Sequence, residues 1–352
     1  MSMWWKKPAL ALNRQAQEQA AQHNADLTKP LGSLGYLEQC LLHLAAMQGV
    51  LKPHLDRVWI SVFAADHGVT EEGISAYPAR VTRQMLGNFV QGGAAISVLA
   101  KQLDAYLEVI DCGILQSAPK LEGVLHQPVA KGTANFTQQP AMTAEQLEQA
   151  LSIGRQAVQR AKAQGVQLFI AGEMGIGNTT TASALACALL NQSAQSMVDK
   201  GTGLNPSGVQ HKINVIDQAL ALHQLKSQSP FLVLQSLGGF EVAAITGAYI
   251  AAAQCGLSVL VDGFICSVAA LCAQALNPAS INWMLFAHQS AEIGHKAVLK
   301  ALQVRPLLAL DLCLGEASGA ALAVPLLRNI CMLNANMATF SQARVDRKSI
   351  CD

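Results

Sequence analysis

The sequence predicts an α/β protein built on a mostly parallel, doubly wound sheet that is flanked by helices. One observation is a set of short apolar runs without polar alternation, at residues 58–64, 106–111, 166–172, 258–262, 281–287 and 307–312. Such runs are typical of strands that are buried on both faces. A second observation is that helical stretches, such as residues 144–163 and 210–225, lie between the runs. Strands that alternate with helices favour a parallel sheet covered on both sides.

Both ends of the chain have helical patterns only. Residues 8–49 precede the first predicted strand, and residues 320–342 follow the last one. We therefore expect a large α/β domain over residues 55–318, which carries the substrate-binding and catalytic site. Residues 1–54 and 319–352 are expected to pack together as a small helical domain beside it.

The composition excludes two classes of protein. Charged residues make up only 13% of the 352 residues, about half of the usual ~25% for a globular domain, and hydrophobic residues make up 51%. An intrinsically disordered chain needs low hydrophobicity and high net charge, so that class is excluded. The net charge is +1. Because no basic field is available to neutralise a phosphate backbone, we expect no nucleic-acid partner.

Residues 242–261 form an uncharged stretch of 20 residues, which is long enough to span a bilayer. The stretch is rich in Ala and Gly, contains Gln254, and has no flanking cationic or aromatic belt. Cys255-Gly256 is typical of a turn. We therefore predict a helix followed by a buried strand, and no membrane partner.

The cysteines and the N-terminus favour a cytoplasmic protein. The nine cysteines are scattered and form no C-x-x-C pair, which suits buried, reduced thiols. The apolar segment PALAL near the N-terminus is too short for a signal-peptide core.

The unusual sequence lies directly after the predicted strands, where ligands bind in open parallel sheets. The segments are ADHGV, GEMGIGNTTT, DGF, HQSAE and GEASGAA. We therefore expect the functional site at the carboxyl edge of the sheet.

The segment GEMGIGNTTT (residues 172–181) follows a strand and begins a helix. Its glycines let the backbone approach a ligand, and free N–H groups at a helix start attract an anion. It is neither a P-loop, since no Lys precedes the Ser/Thr, nor a G-x-G-x-x-G motif, since Thr180 stands at the third glycine position. These residues favour phosphate binding over a tight turn that only caps the helix.

Two further segments carry candidate residues. Glu316 is the only charged residue between Cys313 and Leu327, so its carboxyl is either a general base with a raised pKa or a partner of the helix dipole. Lys212 follows the loop Lys200–Gly203, and from the residues alone a solvated surface lysine is the simpler interpretation. The histidines lack metal-binding spacing, so no metal is expected.

Asp262, in VDGF, ends a predicted strand as a single acid. A pair of adjacent acids there would indicate the magnesium-linked ribose site of diphosphate-dependent phosphoribosyltransferases. With only one acid, that class is not favoured.

Many ordered segments together resemble the nicotinate-nucleotide–dimethylbenzimidazole phosphoribosyltransferase family. They are LTKPLGSLGYLE (27–38), ADHGVTEEGISAYPARVTRQMLGNF (65–89), GEMGIGNTTTASAL (172–185), GTG (201–203), LGGFEVAAITGA (237–248), VDGF (261–264), AHQSAEIGH (287–295) and LGEASGAALA (314–323). The resemblance implies transfer of 5-phosphoribose from nicotinate mononucleotide to 5,6-dimethylbenzimidazole in cobalamin nucleotide-loop assembly. It also implies a parallel-sheet domain, a small helical domain, a homodimer and no cofactor.

The resemblance also implies roles for residues. Glu316 corresponds to the general base, and Glu173 and Lys212 are implied as contributors to catalysis. The phosphate is expected on Gly175, Gly177, Asn178 and Thr179, with Gly203, Gly263 and Ser290 as further substrate-binding positions. Candidate walls for the flat base are Tyr77, Met85, Met174 and Leu314, each of which is equally compatible with ordinary core.

Two other functions stay open from the sequence. One is a non-catalytic nucleotide- or azole-binding protein on the same fold, and the other is a hydrolase that directs water to the same ribosyl centre. The preferred base is also open, because the 65–89 segment varies within the family where the base is bound.

Overall fold

The computed structural model describes residues 3–117, 119–198, 203, 205–225 and 228–346. The strands are β1 Val58–Ala65, β2 Tyr106–Gly113, β3 Val124–His126, β4 Leu168–Met174, β5 Ser258–Val261, β6 Met284–His288 and β7 Pro306–Leu308. The helices are α1 Arg14–Asp26, α2 Tyr36–Gln48, α3 Arg80–Gln91, α4 Ala95–Leu103, α5 Ala144–Ala163, α6 Asn178–Leu190, α7 Ala194–Met197, α8 Pro206–His223, α9 Pro230–Leu237, α10 Phe240–Cys255, α11 Phe264–Leu276, α12 Ile293–Leu302, α13 Ser318–Asn336 and α14 Phe340–Ala343. Short 3-10 helices occupy Trp4–Lys6, Gly68–Glu72 and Pro278–Trp283.

Within the described residues, the strands form one seven-stranded sheet in the order β3-β2-β1-β4-β5-β6-β7. Every neighbouring pair is parallel. The chain winds outward from β1 through β2 to β3, and then returns to β4 on the other side of β1 and winds outward again. The predicted doubly wound α/β fold is therefore confirmed, with its switch point between β1 and β4.

Alternate residues of the central strands face two separate apolar layers. Along β1, Ile60 and Val62 pack with α2, α4 and α13, whereas Phe63 packs with α5, α10 and α11. Both faces of the sheet are thus covered by helices, which explains why the strands lack polar alternation.

The uncharged stretch 242–261 is α10 followed by β5, as predicted. Every residue of α10 from Phe240 to Ala253 is buried, because the helix packs between α5, α11 and the sheet. Among the residues that the structure describes, no helix is both long and apolar enough to cross a bilayer.

The predicted strand bounds differ from the structure mainly at the edges of the sheet, although the central strand β4 is also Leu168–Met174 rather than 166–172. Strand β3 was not predicted, because three residues at an edge are too few to form a pattern. Residues 281–283 belong to a 3-10 helix that begins at Pro278. The run 307–312 is a strand only to Leu308, and further along it Asp311 has a left-handed φ of +54°, which is incompatible with a strand.

The two chain ends lie against each other. Helix α1 packs on α2, and α2 packs on α13. A β-bridge joins Leu27 to Thr339, and His23 Nε2 donates to the Asn334 carbonyl over 2.8 Å. Side chains of α2 and α13 also join the apolar layer on one face of the sheet. The division into two domains at residues 55 and 318 stays a prediction.

Candidate active site

A cleft lies beyond the carboxyl ends of β4, β5 and β6. It contains nine of the residues that the sequence singled out: Glu173, Met174, Gly175, Asn178, Thr179, Gly263, Ser290, Leu314 and Glu316. Its other lining residues are Ile176, Asp262, Phe264, Ile265, Cys266, His288, Glu292, Cys313 and Gly315. The cleft is therefore formed by four segments that are distant in sequence and follow different strands.

The first wall is the turn between β4 and α6. Gly177 has a φ of +98° and directly precedes the first residue of α6, Asn178. A side chain at Gly175 would collide with the carbonyl of Ala65 at the end of β1. Glycine at both positions lets the turn lie against the end of β1 and directs the N-terminus of α6 towards the cleft.

Glu173 lies near the end of β4 with its carboxyl group buried in the cleft wall. Burial raises the pKa of this carboxyl well above its usual range, and the negative charges of Asp262, Glu241 and Glu316 add to the effect. The Asn178 side-chain amide donates a hydrogen bond to Oε2 and partly opposes the shift. Glu173 therefore holds a proton at a pH where an ordinary carboxyl has lost it.

Glu316 faces the same cleft from the loop before α13. Its φ is +63° and that of Ala317 is +72°, so the loop makes a left-handed turn here. A side chain at Gly172 would come within 2.6 Å of the Glu316 carbonyl carbon, so glycine in β4 lets the loop pack on the strand. Burial and the charge of Asp262 raise the pKa of the Glu316 carboxyl. Its Oε2 is buried and has no hydrogen-bond partner among the described residues.

The segment that follows β5 is held in place by contacts of Asp262 and His288. The Ala320 N–H donates to Asp262 Oδ1 over 2.7 Å, and His288 Nε2 lies 3.6 Å from the same oxygen. The His288 ring packs against Gly263 and Gly319, where larger residues would crowd it. His288 was not singled out from the sequence, although its motif AHQSAE follows a predicted strand and was the available signal.

Ser290 is held in place by a buried histidine. The Ser290 N–H donates to His295 Nδ1 over 2.7 Å, and His295 Nε2 donates to the Ser267 hydroxyl over 2.9 Å. Burial lowers the pKa of His295 to about 3, and His288 adds to the effect. The ring is therefore neutral, as acceptance of a hydrogen bond at Nδ1 requires.

Lys212 is buried on α8, and its Nζ donates to the Thr179 hydroxyl over 3.0 Å. The interpretation of Lys212 as a solvated surface lysine is therefore wrong. The sequence does not reveal that α8 packs on α6, and this packing brings the Lys212 side chain to the start of α6.

Residues 200–202 lie outside the described residues. Gly203 has a φ of +117° and is not among the cleft-lining residues.

Two proposed walls for the base are not at the cleft. Tyr77 is half exposed and lines a separate surface hollow together with Thr70 and Pro78. Met85 lies on α3 and packs against the apolar layer that contains α2 and α13. Met174 and Leu314 do line the cleft, and Leu314 is 60% exposed there.

The charged groups of the cleft are mostly acidic. Within the described ranges, no group of three or more His, Cys, Asp and Glu side chains is arranged to hold a metal ion. The cleft instead combines two carboxyls of raised pKa with the N-termini of α6 and α11. Such an arrangement can bind an anionic group at the helix ends and remove a proton beside it.

A cleft with these groups, at the carboxyl edge of a doubly wound sheet, is typical of an α/β enzyme of the transferase or hydrolase type. A family model described as "Phosphoribosyltransferase" matches residues 10–345. Among similar proteins is nicotinate-nucleotide–dimethylbenzimidazole phosphoribosyltransferase of Pseudomonas putida (strain W619), which is 59% identical over 342 residues, or 97% of each chain. The protein of the same name from Pseudomonas aeruginosa (strain LESB58) is 58% identical over 342 residues, again 97% of each chain.

A solved structure agrees with these relatives. The crystal structure of CobT from Thermus thermophilus matches with a TM-score of 0.91 and 45% identity, over 95% of this chain and 100% of that one. The chain belongs to the nicotinate-nucleotide–dimethylbenzimidazole phosphoribosyltransferase family.

Proposed function

We propose that this chain transfers the 5-phosphoribosyl group of nicotinate mononucleotide to 5,6-dimethylbenzimidazole or a related base, which gives α-ribazole 5′-phosphate and nicotinate in cobalamin nucleotide-loop assembly. The observation that carries this proposal is the Glu316 carboxyl, which faces the cleft with a raised pKa and a buried oxygen that lacks a partner in the described structure. This is the group that an attacking azole needs as a proton acceptor.

The chemistry accounts for the residues of the cleft. The bond between C1′ and the nicotinate nitrogen breaks, and the bonding pair leaves with the ring, which departs as a neutral pyridine. Because this leaving group needs no protonation, the cleft requires no acid or metal for it. One imidazole nitrogen attacks C1′ from the opposite face, so the anomeric centre inverts through an oxocarbenium-like state. The proton on the other imidazole nitrogen passes to Glu316.

Glu173 and Lys212 have supporting roles. Glu173 lies near Glu316, since the charge of Glu316 raises its pKa, and its protonated carboxyl can donate a hydrogen bond to the substrate. Lys212 supplies a cation beside Thr179, where it holds the phosphate or the nicotinate carboxylate. The phosphate is placed at Gly175, Gly177, Asn178 and Thr179, because the amino end of α6 favours an anion.

The base occupies the apolar part of the cleft between Met174 and Leu314. Tyr77 and Met85 remain proposals as determinants of base preference, although neither lines the cleft in this structure. We further propose that the protein is a cytoplasmic homodimer and that residues 1–54 and 319–352 form a small domain beside residues 55–318.

The test is turnover of nicotinate mononucleotide with 5,6-dimethylbenzimidazole, with the products separated by chromatography. The wild-type protein is expected to form α-ribazole 5′-phosphate and nicotinate in equal amounts. Glu316→Ala is expected to slow the reaction by about 10²–10⁴-fold, the usual loss for a general base. Glu316→Gln is the matched variant, because it keeps the size of the side chain but cannot accept the proton, and it should be as slow.

Two outcomes would contradict this proposal. Unchanged turnover in both Glu316 variants would remove the general-base role. Release of ribose 5-phosphate from nicotinate mononucleotide alone, at a rate equal to that with the base present, would make the protein a hydrolase instead.

A further inference from the structure

A fully buried ion pair lies behind the turn between β4 and α6. His67 Nε2 donates to Glu241 Oε1 over 2.8 Å, and His67 Nδ1 lies 3.0 Å from the Thr181 hydroxyl. His67 lies just after β1, Glu241 lies in the first turn of α10, and Thr181 lies in the first turn of α6. The His67 ring therefore joins three elements that meet at the switch point of the sheet.

The ring is in direct contact with the turn. A Cβ at Gly175 would lie 3.1 Å from His67 Nε2, and a Cβ at Gly177 would lie 3.3 Å from His67 Cβ. The Thr70 hydroxyl donates to the His67 carbonyl over 2.7 Å and fixes the backbone that carries the ring. Movement of the ring would therefore move the turn.

The surroundings of the His67 ring favour its protonated form. Burial lowers the pKa of His67, but the Glu241 carboxylate raises it more, with help from Asp66, so the net shift is upward. A protonated ring donates from both nitrogens, which fits Glu241 on one side and the Thr181 hydroxyl on the other.

The charge of Glu241 reaches the cleft, because it is one of the groups that raise the pKa of Glu173. The titratable groups around Glu173 come from four elements: Asp262 after β5, Glu241 on α10, Glu316 before α13 and Cys266 on α11. Those around His67 and Glu241 are Asp66 after β1 and Cys112 on β2. His67 lies in contact with Glu241 and, in its protonated form, offsets part of the charge of that carboxylate.

We propose that His67 and Glu241 are positioning residues for the transfer: the ring fixes the 175–181 turn that receives the phosphoribosyl donor, and its contact with Glu241 offsets part of the negative charge of that carboxylate behind the turn. The proposal rests on the function proposed above. Neither residue is placed at the reacting atoms, and both lie in motifs, ADHGV and LGGFE, to which the transfer itself assigns no role.

The first test examines how His67 positions the turn, without changing any charge. Thr181→Val removes the hydrogen bond from the ring to α6 and leaves the ion pair intact. We expect the KM for nicotinate mononucleotide to rise about tenfold or more, because small displacements of a positioned substrate are costly. The KM for 5,6-dimethylbenzimidazole and the pH profile should stay as in the wild type.

The second test concerns charge. His67→Gln leaves Glu241 without its counter-ion, so the Glu173 carboxyl should hold its proton to higher pH, and the matching limb of the kcat/KM profile should move upward. The double variant His67→Gln with Glu241→Gln removes both charges and should return this limb to near its wild-type position. Both variants should also show the raised KM for the donor. A residue that only filled space would produce neither the shift nor its reversal.

His126→Gln is the matched control, because His126 Nδ1 and Asp111 Oδ2 form a similar pair, 3.0 Å apart, at the β2–β3 edge outside the cleft. Circular dichroism and thermal melting establish that each variant folds, and the double variant is still informative if a single one fails. The wild type could be active while its Thr181 and His67 variants keep the wild-type KM for nicotinate mononucleotide and the wild-type pH limb. That result would overturn this proposal alone. A wild type that forms no α-ribazole 5′-phosphate would overturn the proposed function, and this proposal with it.

Discussion

Gly315 lies next to Glu316 and directly faces the Glu173 carboxyl. Its φ is +85°, and a Cβ at this position would collide with Glu173 Oε1. The missing side chain therefore lets the two carboxyls of the cleft lie close together. Burial is the main cause of the raised pKa of Glu173, and the nearby charge of Glu316 adds to it.

We predict that Gly315→Ala lowers kcat/KM by about tenfold or more, because the added methyl displaces the Glu173 carboxyl from its position in the cleft. The measurement is steady-state turnover with nicotinate mononucleotide and 5,6-dimethylbenzimidazole. Gly92→Ala is the control, since Gly92 has the same φ of +85° but no atom within 4 Å of its Cβ position. Both variants carry the backbone cost of about 1–2 kcal/mol. Equal activity in the two variants would contradict the prediction.

The side chains of the site differ in how far the sequence could predict them. Glu316 and the turn at Gly175–Thr179 were predicted, because an isolated charge or a glycine cluster after an apolar run is visible locally. The burial of Lys212 and the His67–Glu241 pair were not predicted, because the partners are distant in sequence: His67 and Glu241 are 174 positions apart. Such pairing depends on which helices pack together, and periodicity carries no information about it.

At the scale of elements, the close packing of α5 on α10 explains part of the low content of charged residues. Side chains at Gly154 on α5 and Gly247 on α10 would each collide with backbone atoms of the opposite helix. Helices that approach this closely leave no space for a charged or large residue between them. The helical part of the uncharged stretch, as far as Ala253, is buried among protein on all sides, which accounts for its lack of charge.

We predict that Gly154→Ala destabilises the protein by about 1–3 kcal/mol or more, because the new methyl overlaps the Ala244 carbonyl and α5 must shift. Gly87→Ala on α3 is the matched control, since no atom lies within 4 Å of its Cβ position. It should stabilise by about 0.5–1 kcal/mol through helix propensity. Urea unfolding measures both. A Gly154 variant as stable as the wild type would mean that the two helices are not in the contact described.

The edges of the sheet were predicted less well than its centre, for a physical reason. Strands β1 and β4 are buried on both faces, and both were predicted: β1 to within one residue, and β4 with both ends two residues too early. Strands β3 and β7 have three residues each and include exposed or half-exposed side chains. An edge strand is defined mainly by backbone pairing to one neighbour, which leaves a weak signal in the side chains.

At the scale of the whole molecule, the cleft contains a buried carboxyl that lowers the stability of the folded protein as the pH rises. Glu173 is buried among the charges of Asp262, Glu241 and Glu316, and its pKa is raised. A carboxyl whose pKa is higher in the folded than in the unfolded protein binds its proton more tightly when folded. Its contribution to stability is therefore full below the unfolded pKa and is lost as the pH rises through the folded pKa.

We accordingly predict that Glu173→Gln stabilises the protein at neutral and higher pH, by about 0.5–2 kcal/mol, while it lowers transferase activity. The neutral amide keeps the shape of the side chain and removes the buried charge, so the gain over the wild type should be larger at pH 8 than at pH 5. Melting temperatures across this range measure it. Glu145→Gln is the control, because Glu145 is exposed and backbone and Thr143 hydrogen bonds lower its pKa. A Glu173→Gln variant that loses stability relative to the wild type as the pH rises would show that the folded protein does not hold this carboxyl in its protonated form.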